Sequence, residues 1–190
     1  MTKTKKIETR RLTISAVMIA LSAALSMVRV FEAPFGGSIT LLSMLPVCTI
    51  AICYGTKWGL TCSFLYAFVQ IALDLGKLMG YGMTVSIWVG CLVFDYLIAF
   101  GGLGLAGLFS KKGTFGICEG IFISLLVRFI SHFISGAILF GVFAPEGWNV
   151  YFYSLCYNGS YMLPELVITM IGAVLLFRLP QVKKLIKEQK

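Results

Sequence analysis

The stretch TVSIWVGCLVFDYLIAF, Thr84 to Phe100, decides the fold class. It is apolar almost throughout, and Asp95 is its only charged residue. An apolar run of about 20 residues spans a bilayer as a helix, because lipid offers backbone polar groups no partners except one another. The stretch therefore predicts a transmembrane helix that carries a carboxylate at membrane depth.

The rest of the chain repeats this pattern. Its 190 residues are 58% hydrophobic and 13% charged, whereas about a quarter of the residues in soluble domains are charged. The charges fall between long apolar runs. The sequence thus predicts an all-α integral membrane protein with six transmembrane helices in one compact bundle. The predicted spans are Leu12–Val30, Ile39–Tyr54, Trp58–Leu73, Thr84–Phe100, Phe115–Phe143 and Tyr161–Phe177.

Basic residues orient the predicted bundle. With six spans, most of the 16 basic residues fall on one side, which the positive-inside rule makes cytoplasmic, so both termini are predicted to be cytoplasmic. The net charge of +8 indicates topology and contact with anionic membrane lipid, and not nucleic-acid binding. We expect a single transmembrane domain over residues 1–190, with basic ends at 1–11 and 178–190 around the bundle at 12–177. The twelve basic residues that support this orientation are Lys3, Lys5, Lys6, Arg10, Arg11, Lys57, Lys111, Lys112, Lys183, Lys184, Lys187 and Lys190.

Asp95 and its neighbour Tyr96 form the first candidate site. A carboxylate at this depth must be neutral or paired, because an isolated charge in lipid is costly. One interpretation is an ion pair with Arg128 in the predicted fifth span. The other is a counter-charge for a cationic ligand, with Tyr96 adding an aromatic face.

His132, the only histidine in the chain, begins a second candidate site. His132, Gly136 and Phe140 follow an i, i+4, i+8 spacing, which places them on one helix face. Gly136 leaves room for a flat ligand, and Phe140 adds an aromatic surface. The alternative is a helix-packing notch beside a buried, hydrogen-bonded histidine.

The segment NVYFYSLCYNGSYMLPE, Asn149 to Glu165, provides a third. Its candidate residues are Tyr153 and Asn158. The glycine after Asn158 predicts a backbone turn that orients the Asn158 side-chain amide, a group that can both donate and accept hydrogen bonds. Pro164 fits the first turn of the sixth span, and Glu165 fits the positive end of that helix dipole. A belt of interfacial tyrosines is the alternative.

A stripe of small residues marks the first span. Ala16, Ala20 and Ala24 recur every four residues, a spacing that lets another helix approach closely. The stripe predicts either packing inside the bundle or docking on a partner protein.

Motifs for catalysis or nucleotide binding do not occur in the sequence. It has no phosphate-binding loop, no dinucleotide fingerprint and no zinc-protease motif, and its six cysteines form no CxxC pair. We therefore expect no enzyme, no cofactor and no metal. An intramembrane enzyme with His132 and Asp95 as acid and base, or a self-sufficient secondary transporter, is a weaker alternative.

Several segments together resemble one family. They are RRLT before the alanine stripe, GGSITLLSMLP, YGTKWGL, DYLIAF, HFISG and, most specifically, YSLCYNGSYMLPE. The chain resembles the thiamine-specific S component of energy-coupling factor vitamin transporters over most of its length. The resemblance implies a subunit of the bacterial cell membrane that binds thiamine with high affinity. A transmembrane scaffold subunit, docked on Ala16, Ala20 and Ala24, and two cytoplasmic ATPases would complete the transporter.

The resemblance also implies a thiamine pocket. Its residues would be Asp95, Tyr96, His132, Gly136, Tyr153 and Asn158, with Phe35 on a lid after the first span. Phe140 stands where the family pattern leads us to expect a tryptophan, and Asp95 is shorter than a glutamate. An S component for another vitamin or precursor, such as riboflavin or biotin, is the alternative.

Overall fold

The computed structural model describes residues 3–182, apart from the side chains of residues 3–6 and of Phe35. Within this part of the chain, long helices alternate with short connections, and one small hairpin follows the first helix. The helices are α1 (Lys3–Ser26), α2 (Leu45–Tyr54), α3 (Thr56–Gly80), α4 (Val85–Gly107), α5 (Gly113–Ile138) and α6 (Val150–Arg178), and the strands are β1 (Arg29–Glu32) and β2 (Ser38–Thr40).

Four of these helices are long and apolar enough to cross a membrane: α3, α4, α5 and α6. The first half of α1 is basic. The ten residues of α2 extend for about 15 Å, half the thickness of a hydrocarbon core of about 30 Å. The prediction of a helical protein is therefore confirmed, and four of its helices have the length and composition of membrane spans. The C-terminal lysines of the topology argument, Lys183, Lys184, Lys187 and Lys190, lie outside the described residues.

The predicted start of the sixth span is wrong. Helix α6 begins at Val150, where the Asn149 side-chain oxygen accepts hydrogen bonds from the backbone N–H groups of Tyr151 (2.9 Å) and Phe152 (3.4 Å). This N-cap starts the helix before the predicted turn at Asn158. The asparagine–glycine turn is consequently absent, since that segment is helical. Pro164 lies in the helix interior, and Glu165 is far from the N-terminus that it was predicted to cap.

The β1–β2 hairpin replaces the first part of the predicted second span. Its antiparallel register pairs Phe31 with Ile39 and Glu32 with Ser38. The turn between the strands passes through Gly36, whose φ of 102° favours glycine. The strands therefore include the last residues of the predicted first span and the first residues of the predicted second span, and the rest of the hairpin occupies the predicted lid loop.

Small residues bring the helices close together around the end of α4. A Cβ on Gly104 would lie 2.4 Å from the Leu60 nitrogen of α3, and one on Gly107 would lie 2.3 Å from the Ala51 oxygen of α2. A Cβ on Gly120 of α5 would lie 2.3 Å from the Ala106 oxygen. Side chains are therefore excluded at these contacts, as is common where helices meet in membranes.

The alanine stripe faces away from the bundle. Ser15 and Ser22 are the buried residues of α1, whereas Ala16, Ala20 and Ala24 are exposed. Ser15 accepts a hydrogen bond from the Trp58 indole at 2.9 Å, which fastens α1 to α3. The interpretation of the stripe as internal packing is therefore wrong.

Helix α4 changes its winding in the middle. Residues Leu92–Ile98 form a π-helix between α-helical turns. Such segments are rare and occur frequently at functional sites. Asp95 and Tyr96 both lie in this segment, and their side chains point toward different neighbouring helices.

Candidate ligand-binding site

A cavity opens at the end of the bundle that carries the hairpin. Its walls come from the hairpin and from α3, α4, α5 and α6. The structure brings together in this lining seven residues that the sequence analysis selected from three separate segments. They are Asp95, Tyr96, His132, Gly136, Phe140, Tyr153 and Asn158. The side chain of Phe35, the predicted lid aromatic, lies outside the described part of the chain.

Asp95 is bound to α5 through both carboxylate oxygens. Its Oδ1 lies 2.8 Å from His132 Nδ1, and its Oδ2 accepts a hydrogen bond from the Ser135 hydroxyl at 2.5 Å. The predicted pairing with Arg128 is wrong, because among the described residues no carboxylate lies within ion-pair distance of the Arg128 guanidinium. The carboxylate therefore holds two side chains of the neighbouring helix.

Arg128 is buried against an aromatic ring. The guanidinium carbon lies 4.1 Å from the centre of the Phe100 ring, a cation–π contact that is stronger away from water. Its Nε and Nη1 have no hydrogen-bond partner among the described residues. Arg128 thus brings a positive charge into the cavity lining.

Tyr96 faces α3. Its hydroxyl donates a hydrogen bond to Asp74 Oδ2 at 3.2 Å, and its ring centre lies 5.9 Å from that of Phe100. Because successive residues of a helix project in different directions, the two neighbours contribute to different walls of the cavity.

Gly136 allows α5 and α6 to meet. A Cβ at this position would lie 2.4 Å from the Ser154 hydroxyl oxygen and 3.0 Å from the Asn158 amide nitrogen. The absence of a side chain lets the Asn158 amide reach the His132 carbonyl at 3.2 Å. The interpretation of Gly136 as a site of close helix packing is therefore correct, and the residue also lines the cavity.

The Asn158 side-chain amide both donates and accepts hydrogen bonds within the cavity wall. Its Nδ2 also donates to the Ser154 carbonyl at 2.9 Å, and its Oδ1 accepts from the Tyr161 hydroxyl at 2.6 Å. An amide oxygen has two lone pairs, so one acceptor position stays open. Asn158 therefore fixes the cavity wall and retains one acceptor.

Aromatic rings also line the cavity. Phe140 stacks on Phe143 with ring centres 6.4 Å apart, and Tyr153 lies 5.9 Å from Tyr157. Phe140, Tyr153 and Tyr157 all belong to the lining. Flat rings of this kind can receive a flat or cationic ligand.

The hairpin is tied to α6 at two places. The Tyr157 hydroxyl donates to the Pro34 carbonyl and accepts from the Gly37 N–H at 3.3 Å. Glu165, which is fully buried, accepts from the backbone N–H and the hydroxyl of Thr40, the latter at 2.6 Å. These contacts hold the hairpin over the cavity.

Charged side chains join the hairpin to α3 at the rim. Glu32 accepts from Arg29 and from Lys77, each at 2.5 Å, and Arg29 reaches Asp74 at 3.3 Å. The hydrogen bond from Lys77 and the charge of Arg29 lower the pKa of Glu32 below its ordinary value. The rim thus carries alternating charges that water can reach.

Sequence reasoning missed several lining residues, among them Ser135, Tyr157, Tyr161 and Glu165. Ser135 follows His132 by three residues, which is a neighbouring position on a helix. Tyr157 and Tyr161 continue the four-residue spacing of Tyr153 along α6. Recognition that Asn149 caps a helix that begins at Val150 would have placed all these tyrosines and Glu165 on one element.

The fold and the cavity define a class: a helical membrane protein with an internal polar and aromatic cavity closed by a hairpin. Within that class, the chain belongs to the thiamine transporter protein family, whose model matches residues 12–185.

Similar proteins agree with this family. The chain is 36% identical over 176 residues to the thiamine transporter ThiT of Bacillus subtilis strain 168, with 85% of this chain and 87% of that protein covered. It is 30% identical over 151 residues to ThiT of Lacticaseibacillus paracasei, with 73% of each covered. A solved structure of ThiT from Listeria monocytogenes aligns with a TM-score of 0.75 and 22% identity over 94% of this chain and 98% of that one, which supports the fold.

Proposed function

We propose that this chain is the high-affinity thiamine-binding subunit, or S component, of an energy-coupling factor uptake transporter in a bacterial cell membrane. The observation that carries the proposal is the cavity, where the Asp95–His132 pair faces aromatic rings beneath the hairpin. Membership of the thiamine transporter family supports the choice of ligand. The protein binds its ligand and catalyses no reaction.

The ligand's chemistry fits the walls of the cavity. Thiamine joins a cationic thiazolium ring to an aminopyrimidine. The rings of Phe140, Tyr153 and Tyr157 provide faces for the cation. Asp95 provides a counter-charge through space, since both of its oxygens already have hydrogen-bond partners. The open acceptor of Asn158 suits the amino group of the pyrimidine.

The proposed arrangement in the membrane has six spans, with α1 and α2 joining the four long helices, and both termini in the cytoplasm. The domain extends over residues 1–190. A transmembrane scaffold subunit docks on Ala16, Ala20 and Ala24, which are exposed on α1, and two cytoplasmic ATPases supply the energy. Exposure of the alanine stripe supports the docking role, because a small-residue face admits a close partner helix.

Calorimetry on the purified full chain in detergent tests the proposal. Thiamine is expected to bind with a Kd of about 1 nM, an affinity of about 12 kcal/mol, while riboflavin and biotin give no heat. Binding of either of those vitamins in place of thiamine would overturn the ligand assignment.

Two variants test the site itself. Asp95→Ala and Asn158→Ala are each expected to weaken thiamine binding at least about tenfold, because each removes a buried hydrogen-bonding group. Asn149→Ala is the matched control, since this side chain caps α6 at an exposed position outside the cavity lining. Equal affinities in all three variants would place the ligand elsewhere.

A further inference from the structure

We infer that Asp95 and Ser135 are positioning residues that fix the tautomer of His132, so that its Nε2 faces the cavity as a hydrogen-bond acceptor. Asp95 thereby selects a ligand that brings an N–H or O–H donor to this point of the wall. The identity of that ligand rests on the proposed function, whereas the tautomer follows from the geometry of the empty site.

The proton position follows from the partners of Asp95. In a histidine–aspartate pair the shared proton stays on the imidazole, because a carboxyl group is the stronger acid, and the carboxylate then only accepts hydrogen bonds. Its Oδ2 accepts from Ser135 at 2.5 Å, and its Oδ1 lies 2.8 Å from His132 Nδ1. Nδ1 therefore carries the proton, and in the neutral ring Nε2 has a free lone pair.

The surroundings of Nε2 leave that lone pair unused. His132 lines the cavity, and its Nε2 is buried without a partner among the described residues. The nearby donors are engaged elsewhere: the Tyr161 hydroxyl donates to Asn158, and the Asn158 amide donates to backbone carbonyls and Ser154. Arg128 lies over the Phe100 ring, and although its Nε and Nη1 have no partner among the described residues, they form no hydrogen bond with Nε2. A buried acceptor without a donor is unfavourable, so a ligand that supplies the donor gains affinity.

Thiamine carries two kinds of donor, the amino group of its pyrimidine and the hydroxyl group of its side chain. Either group would satisfy Nε2. The 4-oxo analogue lacks the first, and the analogue without the hydroxyl lacks the second. If Nε2 accepts a hydrogen bond from thiamine, at least one of these analogues must bind more weakly than thiamine, because it lacks the donor that Nε2 requires.

Nitrogen NMR of the empty protein tests the tautomer without any ligand. His132 is the only histidine, so histidine labelled with ¹⁵N gives the signals of a single ring. A protonated Nδ1 and a bare Nε2 are expected. Protonation of Nε2, alone or together with Nδ1, would overturn the inference.

Two further variants separate positioning from packing. In Asp95→Asn, the Ser135 hydroxyl is expected to continue donating to the side-chain oxygen, so that the amide NH₂ faces His132 Nδ1. Nδ1 must then accept a hydrogen bond, and the ring proton moves to Nε2. Ser131→Ala is the matched control: it removes a 2.6 Å hydrogen bond from α5 to the Phe94 carbonyl of α4 without contacting Asp95. The control should leave the ring signals unchanged. An unchanged tautomer in Asp95→Asn would contradict the positioning role.

Affinity ratios test the selection of ligands. In the natural protein, one of the two analogues is expected to bind at least about tenfold more weakly than thiamine, and in Asp95→Asn that ratio should fall to within about twofold. Equal ratios in both proteins for both analogues would overturn the inference. If thiamine itself does not bind, the proposed function fails while the NMR result still decides the tautomer.

Discussion

Glu165 in α6 accepts hydrogen bonds from both the backbone N–H and the hydroxyl of Thr40 in β2, with 2.6 Å between Thr40 Oγ1 and Glu165 Oε1. The carboxylate is fully buried. It connects α6, which forms part of the cavity wall, to the hairpin that lies over the cavity.

Thr40→Val should therefore destabilise the protein, because it removes the hydroxyl donor from a buried carboxylate. The expected loss is about 1–3 kcal/mol of unfolding free energy, measured by denaturation in detergent. Thr49→Val is the control, since this buried hydroxyl donates only to the Leu45 carbonyl of its own helix at 2.8 Å. Equal losses in the two variants would deny the carboxylate a special role.

Gly136→Ala should lower stability by about 1–3 kcal/mol through overpacking. The added Cβ would lie 2.4 Å from the Ser154 hydroxyl oxygen, and the second change Ser154→Gly should restore much of the loss. A Cβ on Gly159 of α6 meets nothing within 4 Å, so Gly159→Ala should leave the melting temperature unchanged or slightly higher. A stable Gly136→Ala protein would contradict the close contact.

Tyr157→Phe should make thiamine dissociate faster. The variant loses the hydroxyl that donates to Pro34 and accepts from Gly37, and hydrogen bonds worth about 0.5–1.5 kcal/mol each correspond to an increase of about three- to tenfold or more. Stopped-flow fluorescence measures the rate. Tyr151→Phe, changed at a ring that is 64% exposed, should dissociate at the natural rate, and a matching acceleration there would weaken the argument.

Ala20→Trp should abolish thiamine uptake and leave binding intact, because a large ring blocks the approach of a partner helix. Uptake is measured in proteoliposomes that contain the complete transporter. Leu21→Trp is the control, since Leu21 is 45% exposed and lies about 100° around α1 from Ala20. Loss of binding in Ala20→Trp, or loss of uptake in both variants, would count against docking on the stripe.

The rim ion pairs should make the hairpin sensitive to acid. The pKa of Glu32 is lowered from 4.5 by the hydrogen bond from Lys77. A depressed pKa contributes stability above the ordinary value, and that stability is lost as the pH falls through the lowered pKa. The protection factors of the Arg29–Glu32 amides, which correct for the slower intrinsic exchange in acid, should fall below about pH 4.5 and at high salt. In Glu32→Gln they should no longer fall in acid, and a persisting pH response would assign it to another group.

The helical class was predictable because hydropathy depends on composition over about 20 residues. The shared wall of His132 and Gly136 was predictable because helix periodicity fixes which residues lie on one face, whereas α5 ends at Ile138 and Phe140 lines the cavity from beyond the helix. The hydrogen-bond partner of Asp95 could not be predicted. Arg128 and His132 are one turn apart on the same helix, and only the packing of the helices decides between them. The hairpin and the early start of α6 were missed because Ile39 and Pro164 resemble helix starts when they are read locally.

The π-helical segment Leu92–Ile98 has a consequence for the genetics of the protein. Each residue of an α-helix turns it by about 100°, so deletion of one codon within this segment would return α4 to regular pitch. Asp95 would then rotate away from α5 while Gly104 and Gly107 kept their contacts with α3 and α2. A single-codon deletion here should thus abolish binding in a protein that still folds, whereas most substitutions in the same segment leave the register intact.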